Sequence, residues 1–127
     1  MKKLALFLML AFVGYGSLQA GNPFKKNKGI RHLVLIKFRD GISQEQIAKI
    51  DTLVWNMRKE IHVIKSLEWG KHIGLSDESQ EYDYCLNIVF KSQINMTMYE
   101  EHPVHQTFKA ALIPLSSKIL RFNYLIK

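Results

Sequence analysis

A single cysteine, Cys85, occurs among 127 residues, so the chain can form no internal disulfide and its core has to be held by packing alone. No glycine-rich phosphate loop, Cys-x-x-Cys pair or nucleophile elbow is present, which leaves a nucleotide or haem enzyme without support. A metal site needs three or four converging ligands, and no close-spaced His/Cys/Asp set occurs beyond His102 and His105. No metal or cofactor is implied. The longest apolar run, Leu4 to Val13, falls short of the roughly 18 to 20 residues that span a bilayer. No aromatic residue interleaves Lys25, Lys26 and Lys28, as a base-stacking surface would require.

What is present is enough for one domain. A 127-residue chain with 47% hydrophobic and 23% charged residues fits a single globular core, with no room for a second domain. Residues 1–20 read as a secretory leader: Lys2 and Lys3, then the apolar run, then Gly14, Gly16, Ser17 and Leu18-Gln19-Ala20, with cleavage after Ala20 or after Gly16. An uncleaved membrane anchor is the rival reading. Cleavage implies export to the periplasm or the cell exterior, with no stable membrane insertion afterwards. The formal charge is +7, and loss of Lys2 and Lys3 leaves 16 basic minus 11 acidic residues, or +5. Much of it crowds into residues 21–29 and Arg31, a stretch that reads as a basic, solvated linker. A basic tail can touch anionic lipid or nucleic acid, but export makes nucleic acid an unsuitable partner.

From Ile30 to Lys127 the chain alternates between two periodicities. Ile30 to Phe38 reads as a strand with His32, Val34, Ile36 and Phe38 on one face and Leu33, Leu35 and Lys37 on the other. Ser43 and Gln46 form a capping box that opens a helix carrying Ile47, Ile50, Val54, Met57 and Ile61 at helical spacing. Ser66 to Ile73 has strand character, Ser76 to Gln80 is loop-like, and Tyr82 to Phe90 alternates again, the pair forming a hairpin. Tyr84, Leu86, Ile88 and Phe90 share one face of the latter strand; Cys85, Asn87 and Val89 share the other. Cys85 reads as a small buried apolar residue, not a reactive thiol. Ser92 to Tyr99 is helical, Pro103 interrupts, Val104 to Lys118 resumes with Phe108, Leu112 and Leu115 on one side, and Ile119 to Ile126 closes as a strand.

The order β-α-β-β-α-α-β suits an α+β, ferredoxin-like fold: a four-stranded antiparallel sheet with helices on one face. The helices cover one side only, leaving Leu33, Leu35 and Val89 in need of a partner. A second copy of the same sheet, related by a two-fold axis, is the simplest one, and a merely mixed, exposed face is the alternative.

Three stretches carry a family resemblance. Arg31-His32-Leu33-Val34-Leu35-Ile36-Lys37-Phe38, then Glu68-Trp69-Gly70-Lys71, then Tyr99-Glu100-Glu101-His102-Pro103-Val104-His105-Gln106-Thr107-Phe108 resemble, in order and spacing, the recurring motifs of stress-responsive α/β-barrel (Dabb) proteins. The resemblance spans Ile30 to Lys127, and His-Pro-x-His-x-x-Phe is its most specific element. It implies a dimeric α+β barrel of two sheets packed face to face. One plant branch of the family is a polyketide cyclase that closes a ring without a cofactor. There the resemblance gives Tyr99 and His105 the acid/base roles, with His32 close by. Tyr84 stands where that branch has a further histidine, and Ile50, Asp51 and Val54 stand at its aromatic pocket positions, so the same substrate is not expected.

The residues themselves allow the chemistry. Pro103 is suited to open a helix, which puts His105 in its first turn, where the helix dipole favours the neutral imidazole. A neutral imidazole accepts a proton and Tyr99 can polarise a substrate oxygen; alternatively both simply fill the junction and His105 bonds to backbone. His32, on the face with Val34 and Ile36, is either a hydrogen-bonded core residue or part of the same pocket. His102 serves the turn, and His72 lies near a strand end. A ligand pocket between sheet and helices would be lined by Tyr84, Val34, Ile36, Leu86, Ile88 and Phe108. Three functions stay open: a homodimer binding a small apolar or aromatic molecule there, a cofactor-independent lyase or cyclase, or a ligand-free structural stress protein.

Overall fold

The computed structural model describes residues 28–74 and 80–127. The leader, most of the basic linker and nearly all of the loop expected at Ser76 to Gln80 lie outside the described residues. Within them the elements are β1 (Ile30–Phe38), α1 (Gln44–Glu60), β2 (Ile64–Lys71), β3 (Tyr84–Phe90), α2 (Gln93–Glu101), α3 (Pro103–Leu115) and β4 (Ser116–Leu125). The strands form one antiparallel sheet in the order β2-β3-β1-β4, the α+β, ferredoxin-like arrangement expected from the sequence.

β1 lies inside the sheet because both of its sides are paired: His32 stands opposite Ile88 of β3 and Asn123 of β4. Its alternation is kept, every second residue from Ile30 to Phe38 being buried. Val34, Ile36 and Phe38 pack with Leu86, Ile88 and Phe90 of β3, Leu67 of β2, Ile50, Val54 and Met57 of α1, and Tyr99, Phe108 and Leu112 of the later helices. α1 starts where the capping box places it. The Ser43 hydroxyl accepts from the Gln46 amide at 3.1 Å and the Gln46 side-chain oxygen accepts from the Ser43 amide at 2.9 Å, an arrangement worth about 1 kcal/mol.

Most boundaries differ by a few residues from the sequence expectation, α2 running Gln93–Glu101 and β4 Ser116–Leu125. β2 begins at Ile64 and ends at Lys71, and β3 begins at Tyr84. Asp83 ties down the start of β3: its carboxylate accepts from the Phe38 amide at 2.9 Å and pairs with the Lys37 ammonium at 3.0 Å. α3 stops at Leu115, not Lys118. Its last carbonyls are taken from outside the helix, the Leu115 carbonyl by the Arg39 amide at 2.8 Å and the Pro114 carbonyl by Arg39 Nε at 3.0 Å, so the carbonyls that residues 118 and 119 would need to continue the helix are already engaged. β4 can therefore start at Ser116.

The face of the sheet away from the helices carries Leu33 and Leu35, half-buried, as expected. Val89 is a correction: it is only 6% exposed, because the chain passes over it at Gly29. Gly29 has φ +115°, and a Cβ there would lie 2.5 Å from the Phe90 carbonyl oxygen and 3.4 Å from Val89 Cγ1. Glycine is required at that crossing. β4 contributes instead, since Leu120 stands opposite Leu35, Phe122 opposite Leu33 and Tyr124 opposite Arg31, with exposures of 45%, 59% and 40%. Cys85 lies half-buried on this same face. Burial, then the nearby Glu68 carboxylate, push its thiol pKa up, away from the reactive thiolate.

Candidate functional site

The break between α2 and α3 places the site. The Ser92 hydroxyl caps α2 at its start, and at its end the His102 amide donates to the Tyr99 carbonyl at 3.1 Å. His102 then turns the chain: held extended by the following proline, it accepts at Nδ1 from the Val104 amide at 3.1 Å. His102 thus serves the turn, as expected. With Pro103 as the first residue of α3, Tyr99 in the last turn of one helix and His105 in the first turn of the next come into contact, ring centroids 4.2 Å apart and planes tilted by 36°. His32 reaches the same point from β1, its ring meeting Tyr99 edge-on at 5.8 Å.

Hydrogen bonds define the protons. His105 Nδ1 lies 3.0 Å from the Glu100 carbonyl oxygen, which can only accept, so Nδ1 carries the proton and a neutral ring keeps Nε2 as a base. Burial holds the His105 pKa below the usual histidine value; the Glu100 carbonyl opposes this and the Lys109 charge reinforces it. Burial, more than the helix dipole invoked from sequence, is the leading cause. His32 Nδ1 faces Asn123 Oδ1 and is the donor by the same argument. Burial lowers its pKa as well, against the Asn123 bond, with Arg121 adding to the lowering. Burial first, then Glu100, raise the Tyr99 pKa far above the ordinary phenol range, so Tyr99 is a proton donor throughout. Its hydroxyl is buried and has no hydrogen-bond partner.

Tyr99 lines a cleft together with His32, Val34, His105, Phe108 and, toward solvent, Lys109, Ile113 and Arg121. Its enclosed volume is about 20 Å³, room for about one water. With its open mouth the empty space reaches about 300 Å³.

The structure therefore brings together Tyr99, His105, His32, Val34 and Phe108, and separates the other expected lining residues. Ile36, Leu86 and Ile88 are fully buried in the core cluster that α1 shares and leave no space to line. Tyr84 stands opposite Ile36, four residues from the His32 level or roughly 13 Å along the strand. It stacks on Trp69 at 4.8 Å and meets Phe38 at 5.5 Å, while the Trp69 indole donates to the Asp51 carboxylate at 2.6 Å. Sequence reading missed Lys109, Ile113, Arg121 and Asn123. The available signal was the alternation of β4, in which Ile119, Arg121 and Asn123 share a face. Among the described residues no group of three or more His, Cys, Asp or Glu side chains is placed to hold a metal.

The two neutral imidazoles make stability depend on pH. Well above about pH 6.5, the ordinary histidine value, both are neutral in folded and unfolded chains and contribute no dependence. Below it the unfolded chain takes up protons that the folded protein, with its lowered values, refuses, so stability falls as pH drops. Denaturant unfolding between pH 7 and 5 should show this decline. A His32→Gln, His105→Gln double variant should flatten it, and an unchanged slope would remove these residues as its source.

The chain is similar to several known proteins. Olivetolic acid cyclase from Cannabis sativa is 26% identical over 95 residues, 75% of this chain and 94% of that one. The solved hydroxynitrile lyase from Passiflora edulis superposes with a TM-score of 0.74 at 23% identity, covering 80% of this chain and 95% of its own. A dimeric ferredoxin-like protein of unknown function from Thermobifida fusca superposes at 0.70 with 21% identity, covering 77% and 91%. Residues 30–126 match the model of the stress responsive A/B barrel domain. That span takes in every strand and helix described and the whole Tyr99–His105 junction, and the chain belongs to the stress-responsive A/B barrel family.

Proposed function

We propose that the protein is an exported homodimer that binds a small apolar or aromatic molecule bearing an oxygen acceptor in the cleft between β1, β4 and the α2–α3 junction. The observation that carries this is the Tyr99 hydroxyl, buried without a partner. Leaving such a group unpaired costs about 1–3 kcal/mol, a cost that a purely structural residue avoids by being phenylalanine. The small enclosed volume suits a ligand-free role, but the rim side chains Arg121 and Ile113 are exposed and can swing aside to admit a ring. Export rests on the leader-like residues 1–20. The dimer is supported by the apolar outer face and by neighbours such as the Thermobifida fusca protein, itself described as dimeric.

A second reading, proton-transfer catalysis without a cofactor, has its own observation: a buried phenol in ring contact with an imidazole whose Nδ1 is held by the Glu100 carbonyl. Tyr99 would hold a carbonyl or hydroxyl oxygen while His105 Nε2 takes a proton. Relatives named a cyclase and a lyase favour it. Native mass spectrometry of the protein purified from the compartment to which it is exported tests the first reading. The expected result is a dimer that retains a small molecule. A monomer would remove the homodimer, and a dimer that is empty and takes up no aromatic alcohol or ketone when soaked would remove the ligand.

A further inference from the structure

The sheet has two electrically different ends. At the end where β1 finishes and β3 begins, the charges are paired, Lys37 with Asp83 at 3.0 Å and Lys118 with Glu81 at 3.7 Å. At the opposite end, where Ile30, Ile64 and Phe90 stand in register, an open hollow of about 970 Å³ is lined by Lys28, His62, Ile64, Lys65, Lys91 and Asn95. No carboxylate lines it.

Local structure explains the clustering. The β2–β3 register shifts between Ile64 and Ser66, so Lys65 is an extra residue that breaks the pairing pattern. Lys91 follows the last residue of β3, and Lys28 leads into β1 across the Gly29 crossing. All three lysines are exposed, the Lys28 ammonium also donating to the Lys127 main-chain oxygen at 3.1 Å. Beside this charge α2 presents aliphatic surface: Ile94 and Met98, four residues apart and so on one side of the helix, are 73% and 51% exposed.

We propose that this end of the domain docks on an anionic lipid bilayer, Lys28, Lys65 and Lys91 meeting headgroup phosphates while Ile94 and Met98 enter the acyl boundary. Cationic side chains flanking exposed aliphatics are the composition of an interfacial surface. A soluble polyanion would use the lysines but gain nothing from Ile94 and Met98, and the aromatic platform that single-stranded nucleic acid needs is missing from the hollow. The surface does not involve the Tyr99 cleft, so it stands whatever that cleft binds.

Co-sedimentation of the full chain with vesicles tests it, every variant keeping the same N-terminal residues so that differences report this surface alone. Binding to phosphatidylcholine vesicles containing a third of phosphatidylglycerol should exceed binding to phosphatidylcholine alone and weaken as salt shortens the screening length. The Lys28→Gln, Lys65→Gln, Lys91→Gln variant should bind about fivefold more weakly per lysine removed, on the order of a hundredfold in all. Ile94→Ser with Met98→Ser should weaken vesicle binding while leaving retention on a heparin column unchanged. A triple variant that binds like the parent overturns the proposal. So does an Ile94, Met98 variant with undiminished vesicle binding, which would make the surface a site for soluble polyanions.

Discussion

Tyr99→Phe should stabilise the ligand-free protein by about 1–3 kcal/mol, the cost of leaving a buried hydroxyl unpaired, and raise its melting temperature by roughly 4–8 °C for each kcal/mol in a domain of this size. The ring stays, with its contacts to Phe90 at 5.0 Å and His105 at 4.2 Å, so packing is kept and only the orphan oxygen goes. The same change should damage function. Binding of an oxygen-bearing ligand should weaken by about the 0.5–1.5 kcal/mol of one neutral hydrogen bond, and any proton-transfer turnover should fall about 10²–10⁴-fold. Thermal unfolding of both proteins checks the first part directly. A less stable Tyr99→Phe would mean that the hydroxyl has a structural partner, such as a bound water, and the case for a ligand at that atom would fail.

Phe122→Glu should convert the dimer to monomer. Phe122 is 59% exposed and stands opposite Leu33 at the middle of the apolar outer face, so the monomer's core does not depend on it. Two copies of the carboxylate would be buried without partners across the two-fold axis. An unpaired buried charge costs about 3–5 kcal/mol, enough to weaken association on the order of a thousandfold or more. Sedimentation velocity should show a monomer with unchanged far-ultraviolet circular dichroism. A variant that remains dimeric would place the subunit contact elsewhere, and the two-sheet barrel would have to be abandoned for this chain.

Local rules were legible in the sequence, and long-range ones were not. The faces of β1 and β3 and the start of α1 follow from alternation and from Ser43 with Gln46, all within a few residues of one another. Tyr99, His105 and His32 could be named because Pro103 dictates the helix break and the motif around it is specific. The end of α3 depends on Arg39, more than seventy residues earlier, and no local pattern announces that. The expected lining failed for a similar reason. Tyr84, Leu86 and Ile88 share a face with the site, but where along that face a cleft opens is decided by which helix lies above it. α1 seals the Ile36 end and the α2–α3 junction leaves the His32 end open. β4 joins the sheet beside β1 through a crossover, so the partnership of His32 with Asn123 is a matter of register that only the assembled sheet displays.

β1 gives the molecule a shared wall. On one side it presents His32 and Val34 to the cleft; on the other, one residue away, Leu33 faces the surface proposed for self-association. A ligand that binds dimer and monomer with different affinity must, by linkage, shift the subunit equilibrium by the same factor. Dimer concentration and ligand concentration then become two handles on one equilibrium, coupled through the thickness of a single strand.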